Sequence, residues 1–397
     1  MSRQWLKRAG FFSVRVRRLN GAAFFAILLI PSFVLATESF SPLQNPELMG
    51  LIPPADTGKV VKALRHAGAN WPELAKALTL VKPEYRPGMI ALISALRSVD
   101  LFSSTAEVLL QEVDYAYKAR QELPWQITKG EFEKYVLPFR ISSEWFIPWR
   151  VEFYEQFRPL VKDASTAVEM AKIVNKWVKD NIQVRPCWGG RWPYAPILTL
   201  RGKAGNQVSV TVFTVAALRS VGIPSRILRV DFFGDSPGGT TWVEFLSDHR
   251  WLPLYPHAPA NLGDFGKLTR EHPRAIPLVY AGRKENVTAH YTPMGTLKAV
   301  IDTNSLSESG KSIDFSVGVF NDGSWRTVTD RIGFSFTADT TGSFQIRLGV
   351  GDYLAEAEID KYLIFLKRFT IEADKTTVIK IKPKRWEYTE DIYDSYR

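Results

Sequence analysis

At 397 residues, the chain is long enough for two or three domains with cores of their own. A hydrophobic fraction of 45 %, with 24 Phe and 12 Trp, excludes general disorder. The net charge of +10 would suggest nucleic acid were it not so localised. Arg3, Lys7, Arg8, Arg15, Arg17 and Arg18 all precede the first acid, Glu38, and the rest of the chain carries an ordinary +4. No interleaved basic and aromatic motif supports a nucleic-acid partner.

The basic residues lead into GAAFFAILLIPSFVLA, an uncharged run of 16 residues ending in Val34-Leu35-Ala36. Basic region, apolar region and small-residue site, in that order, predict a secretory signal over residues 1–36, cleaved before Thr37. An uncleaved anchor is the competing reading, and would be the only membrane contact. A span needs about 20 apolar residues, and Pro31 interrupts this run. The expected destination is export to the periplasm or exterior of a bacterium. The single cysteine, Cys187, cannot form an internal disulfide, so stability must come from packing.

Residues 37–160 read as a helical region. Ser104 and Glu107 have the form of a capping box ahead of Leu109, Val113, Ala116 and Tyr117 at helical spacing. Pro83, Pro87 and Pro124 punctuate the region. LPFRISSEWFIPWR, Leu137–Arg150, is aromatic and interrupted by proline, and is read as packing across a domain joint.

A second capping box, Thr166 with Glu169, opens a helix through Ala171, Val174, Trp177 and Val178. The loop CWGGRWPYAP follows, then QVSVTVFTV, Gln207–Val215. There Val208, Val210 and Val212 alternate with Ser and Thr as in a strand. Yet Ala216-Ala217-Leu218-Arg219 is good helix former, and Gly222 and Pro224 are helix stops. Pattern alone leaves both readings open. Downstream lie a strand, ILRVDFF, a GDSPGG loop and a hairpin, TWVEFLSDHRWLPLYP, turning at Ser-Asp-His-Arg.

Beyond about residue 290 the period becomes two. Ile313, Phe315, Val317 and Val319 alternate before an Asn321-Asp322-Gly323 turn, as do Ile332, Phe334 and Phe336. Phe344, Ile346 and Leu348, then Phe369, Ile371 and Ala373, repeat the pattern, which predicts a β-sandwich over 285–383. The charged, aromatic tail 384–397 has no assigned place.

The run ALRSVGIPSRILRV, Ala217–Val230, resembles the stretch after the catalytic cysteine of the bacterial transglutaminase-like superfamily, and GGTTWVEFL and RWLPLYP resemble its histidine and aspartate strands. The resemblance implies an α+β chain with a papain-like core over 161–275, and a buried helix rather than a strand at Gln207. In that superfamily a thiolate at the helix start is activated by a histidine that an aspartate orients. The motif positions fall here on Gln207, Thr240 and Tyr255. An amide, a hydroxyl and a phenol cannot replace thiolate, base and carboxylate at neutral pH, so the inherited mechanism is lost. The three neutral side chains are expected to form a mutual hydrogen-bonded cluster.

Cys187, 20 residues upstream, is a possible relocated nucleophile, His249 or His257 a base from elsewhere, and Ser209 or Thr211 a nucleophile without a base. Each has a plainer structural reading. No metal-ligand spacing or phosphate loop occurs, and no cofactor is expected. Trp188, Arg191, Trp192, Tyr194 and Trp242 suit stacking on a peptide, protein or glycan ligand, or else fill the joint between lobes. Three functions follow: a non-catalytic binding protein of the cell envelope, an amide-processing enzyme (transglutaminase or peptidase) with a relocated nucleophile, or an assembly scaffold. An open groove beside Gln207 would favour the first over the last.

Overall fold

The structure, a computed structural model, describes residues 45–186, 194–282, 285–301, 312–328, 335–337, 343–360, 363–381 and 384–385. The signal segment, Cys187, Ile332, Phe334 and the tail from 386 lie outside the described residues. Everything described belongs to one compact unit.

Helices come first: α1 (Pro46–Gly50), α2 (Pro54–His66), α3 (Trp71–Leu80), α4 (Arg86–Ala95), α5 (Ser98–Ser103), α6 (Ala106–Gln121), α7 (Lys129–Tyr135) and α8 (Arg150–Val161). On α6, Leu109, Val113 and Ala116 are buried, as their spacing predicts. The expected Ser104–Glu107 capping box is not formed. Thr105 is the cap and accepts from the Val108 amide, while the Ser104 hydroxyl is buried. One residue of register decides this, because only the residue with extended backbone just before the first turn can aim its oxygen at the free amides. Among the described residues no helix is long and apolar enough to cross a membrane.

The segment 137–150 is a packing segment, as expected: Leu137, Phe139 and Trp149 are buried, although Trp145 is exposed. Arg150 is its keystone. The buried guanidinium donates to Glu112 on α6 at 2.8 Å and to the carbonyls of Val136 and Leu137, both at 3.0 Å. Arg219 donates back to the Pro138 carbonyl at 2.9 Å, and burial pushes its pKa down to about 9. These bonds satisfy carbonyls at proline-interrupted turns, where no helix or sheet partner is available.

Helix α9 (Ala167–Asn181) opens with the predicted Thr166–Glu169 capping box. A short parallel pair, β1 (Gln183–Val184) with β2 (Ala204–Gly205), brackets α10 (Pro196–Gly202). Next comes α11 (Gln207–Ser220), so the alternating valines are helical. From Ser209 to Ser220 every residue of α11 is buried, which explains the misleading pattern: a helix covered on all sides needs no polar face. Phe213 packs on Phe153 of α8, their centroids 5.0 Å apart. At the far end Gly222 has φ +86°, and a Cβ there would lie 2.8 Å from the Ala119 carbonyl oxygen.

Against α11 lies an antiparallel sheet in the order β5-β4-β3-β6-β7, built from β3 (Ser225–Val230), β4 (Thr240–Ser247), β5 (Arg250–Leu254), β6 (Tyr280–Ala281) and β7 (Glu285–Asn286). The β4–β5 hairpin turns where predicted, with Asp248 and His249 both at positive φ. Buried Glu244 anchors this sheet. It accepts from Arg226 at 2.8 Å and from the Tyr291 hydroxyl at 2.6 Å.

The C-terminal strands form two sheets. One pairs β8 (Met294–Ile301) with β12 (Ser343–Gly349) and β15 (Thr376–Ile381). The other runs from β10 (Ser324–Thr327) through β9 (Ser312–Asn321), β13 (Gly351–Asp360) and β14 (Leu363–Ile371) to β16 (Lys384–Arg385), with β11 (Ser335–Thr337) also on β9. Leu297, Phe344 and Ile379 of the first meet Phe315, Val317 and Phe369 of the second in one core, which makes a sandwich. Ala373 departs from the predicted alternation: β14 ends at Ile371, and Ala373 lies in the exposed turn before β15.

Candidate functional site

Helix α11 begins at Gln207, the first of the three motif positions. Asn206 caps it, its side-chain oxygen accepting from the Ser209 amide at 2.8 Å. A Cβ on Gly205 would come within 2.9 Å of the Ser209 Cβ, so the chain can enter the helix this tightly only through glycine. Gln207 follows as the first helical residue. Its side-chain amide donates to the Thr241 carbonyl on β4 at 3.1 Å. Thr211, one turn on, donates to the Gln207 carbonyl at 2.9 Å and lies 3.0 Å from the Thr241 hydroxyl.

Gln207, Thr240 and Tyr255 do converge, on one cavity of about 150 Å³ that Lys267, Glu271 and His272 also line. The expected mutual cluster is not formed, because each polar end has a backbone partner of its own or none. Gln207 is tied to Thr241. The Tyr255 hydroxyl turns away and donates to the Asp264 carbonyl at 3.2 Å. No direct hydrogen bond joins the three side chains. Burial, with Asp264, Glu271 and Glu244 adding to it, pushes the Tyr255 phenol well above its usual range, so it stays neutral. The ring is buried, stacks near Trp242 with centroids 6.2 Å apart, and fills the space a smaller carboxylate would leave.

On its other side Gln207 borders a larger open cleft of about 550 Å³. Asn206, Thr240 and Thr241 line it, with Arg97, Ser142, Arg229 and Asp231. Arg229 pairs with Asp231 at 3.5 Å, so the lining is polar, with two guanidinium groups to one carboxylate.

Of the proposed ligand-contacting residues, Trp188, Arg191 and Trp192 lie outside the described residues. Tyr194 is 40 % exposed, and its backbone amide donates to the Ser209 hydroxyl at 2.8 Å. Trp242 is only 1 % exposed and belongs to the core with Tyr255 and Tyr291, not to a groove. It shares a face of β4 with Thr240, two residues away, and is kept from the cleft by Tyr255 and Tyr291, which pack against its ring.

The alternative chemistry fares as follows. Ser209 is fully buried and donates to Asn206, and Thr211 is equally buried, so both hydroxyls serve the helix start. His249 sits exposed on its turn beside Glu131 at 3.1 Å. His257 is half-buried, and burial lowers its pKa. The histidine that does face the cavity, His272, was not singled out by sequence. Its Nδ1 lies 3.0 Å from Asp235, and its ring stacks on Phe233 at 3.7 Å. No spacing signal links it to the motif positions, because it follows α12 (Lys267–Glu271) as its C-cap, after the last motif strand. Among the described residues no group of three or more His, Cys, Asp or Glu could hold a metal ion.

A buried helix whose first residue meets the second strand of an antiparallel sheet is the papain-like arrangement. Residues 156–256, which carry α11, β3, β4 and β5, match the family model of the transglutaminase-like superfamily. No match was found among curated proteins. Similar solved structures include a candidate protease from Parabacteroides distasonis, at 16 % identity and TM-score 0.29 over 43 % of this chain and 33 % of that one. A candidate cysteine protease from Cytophaga hutchinsonii gives 12 % and 0.27 over 38 % and 53 %. Red sea bream transglutaminase gives 12 % and 0.26 over 62 % and 59 %. In each case the chain spans less than two thirds of the other's length.

Proposed function

We propose that this is an exported, non-catalytic transglutaminase-like protein that holds a peptide, protein or glycan chain of the cell envelope in the cleft beside Gln207. The observation that carries this reading is the open cleft of about 550 Å³ at the start of α11, lined by Asn206, Gln207, Thr240 and Thr241 together with Ser142, Arg229 and Asp231. Such a surface supplies donors and acceptors to a polymer, and no thiol or imidazole is among its described lining residues. An open cleft favours binding over a scaffold role. Export rests on the basic, apolar and small-residue order of residues 1–36.

The test uses the chain from Thr37. Amine-incorporation and peptide-hydrolysis rates should equal those of a no-protein control, before and after Cys187→Ser. Co-sedimentation with purified cell-wall sacculi and with envelope proteins should be lost in Gln207→Trp, which fills the cleft. Binding unaffected by that substitution would remove the cleft from the function. Intact mass of protein recovered from the envelope should start at Thr37.

The His272–Asp235 pair at the cavity favours a second reading, amide processing with relocated groups. It predicts a thiol-dependent activity that both Cys187→Ser and His272→Ala abolish.

A further inference from the structure

A second polar and aromatic surface lies on the sandwich, away from the cleft. Phe320 on β9 and Trp325 on β10 are direct cross-strand partners, with centroids 5.6 Å apart in an edge-to-face arrangement. Val317 and Val319 point into the core, so Phe320 points outward, and it is 50 % exposed. Arg368 on β14 lies over the Trp325 ring at 5.8 Å. Two residues along the same face, Thr370 donates to Asp352 on β13 at 2.6 Å. Together these side chains border an open depression of about 560 Å³.

We infer that this outer face of the sandwich is a binding site for a neutral oligosaccharide. Sugars present an apolar C–H face and a rim of hydroxyls. The exposed Phe320 ring, with the half-buried Trp325 edge-on beside it, offers a weakly hydrated aromatic surface for the first. The second needs strong donors and acceptors side by side, which Arg368, Asp352 and Thr370 provide. Charge argues for a neutral ligand. One carboxylate and one guanidinium flank the rings, so neither an acidic nor a basic polymer is favoured by the local field. The volume lies within the range of pockets that take small ligands, about 300–1,000 Å³. A purely structural role for the aromatic pair would require its rings to be covered, and Phe320 is half exposed.

The experiment titrates the chain from Thr37 with tri-N-acetylchitotriose, cellohexaose, maltohexaose and mannohexaose by calorimetry. Saturation-transfer NMR then maps which sugar protons touch aromatic rings. At least one of these should bind, with its ring C–H protons saturated. Trp325→Ala and Arg368→Ala should each weaken binding tenfold or more without moving the thermal transition, and Trp325→Tyr should retain most of it. If Trp325→Ala unfolds the sandwich, the exposed Arg368→Ala and the conservative Trp325→Tyr decide. Four results would each overturn the inference: no binding to any of the four, binding only to charged polygalacturonate or heparin, binding lost in Gln207→Trp but intact in Trp325→Ala, and self-association that Trp325→Ala abolishes. The third would leave the cleft reading standing.

Discussion

Gln207 and Thr241 are joined by a hydrogen bond from the side-chain amide of one to the backbone carbonyl of the other, 3.1 Å across the gap between α11 and β4. The gap borders both the cavity of about 150 Å³ and the cleft of about 550 Å³. Here it is bridged by a neutral clasp between helix and sheet.

Tyr255 has become part of the core, and its substitution tests this directly. Tyr255→Phe should cost about 1 kcal/mol, the net worth of the bond to the Asp264 carbonyl. Tyr255→Asp should cost about 3–5 kcal/mol, because it deletes a buried ring. A chain carrying Q207C, T240H and Y255D together should therefore unfold at lower urea than the parent. Equilibrium unfolding of the three variants measures each step, and a triple variant as stable as the parent would contradict it.

Breaking the Arg150–Glu112 pair should be the most damaging polar change. Both side chains are almost wholly inaccessible. Glu112→Ala leaves a buried guanidinium without its counter-charge, at a cost of about 3–5 kcal/mol. Chemical denaturation should show the midpoint shift, and the helical region and core should unfold together because Arg150 donates to the Val136 and Leu137 carbonyls on one side and to the Arg219 carbonyl of α11, at 3.5 Å, on the other.

The buried carboxylate Glu244 depends on Tyr291 for one of its oxygens. Tyr291→Phe removes that donor and should cost about 1.5–3 kcal/mol, the range for hydrogen bonds to charged groups. A change below 0.5 kcal/mol in urea unfolding would mean that Arg226 alone satisfies the carboxylate.

Burial holds the His257 imidazole below its ordinary pKa of 6.5. The unfolded chain then binds the proton more tightly than the folded one. The stability this contributes is whole above about pH 6.5 and declines as pH falls toward 5. His257 has φ +66°, so His257→Asn suits the backbone while removing the titration. Stability measured from pH 7 to pH 5 should slope less in that variant; an unchanged slope would place the titration elsewhere.

Local signals were enough for much of this molecule. The Thr166–Glu169 box, the Asp248–His249 turn and the alternation through Phe315, Val317 and Val319 each depend on neighbours a few residues apart, and each appears in the structure where the residues imply it. The order of the core elements was legible too, since ALRSVGIPSRILRV carries helix end, stop and strand in one run. Other features were set at long range. Val208 to Val215 alternate like a strand but form a helix, because α8, α9 and the sheet enclose them and no polar face is needed. Thr105 rather than Ser104 caps α6 by one residue of register. Trp242 is core rather than groove because Tyr255 and Tyr291, distant in sequence, pack against its ring. His272 meets the cavity at Gln207 from the end of a helix that no motif spacing connects to it. Periodicity reports which residues shun water within one element, and only tertiary packing decides which face each element presents and what it meets there.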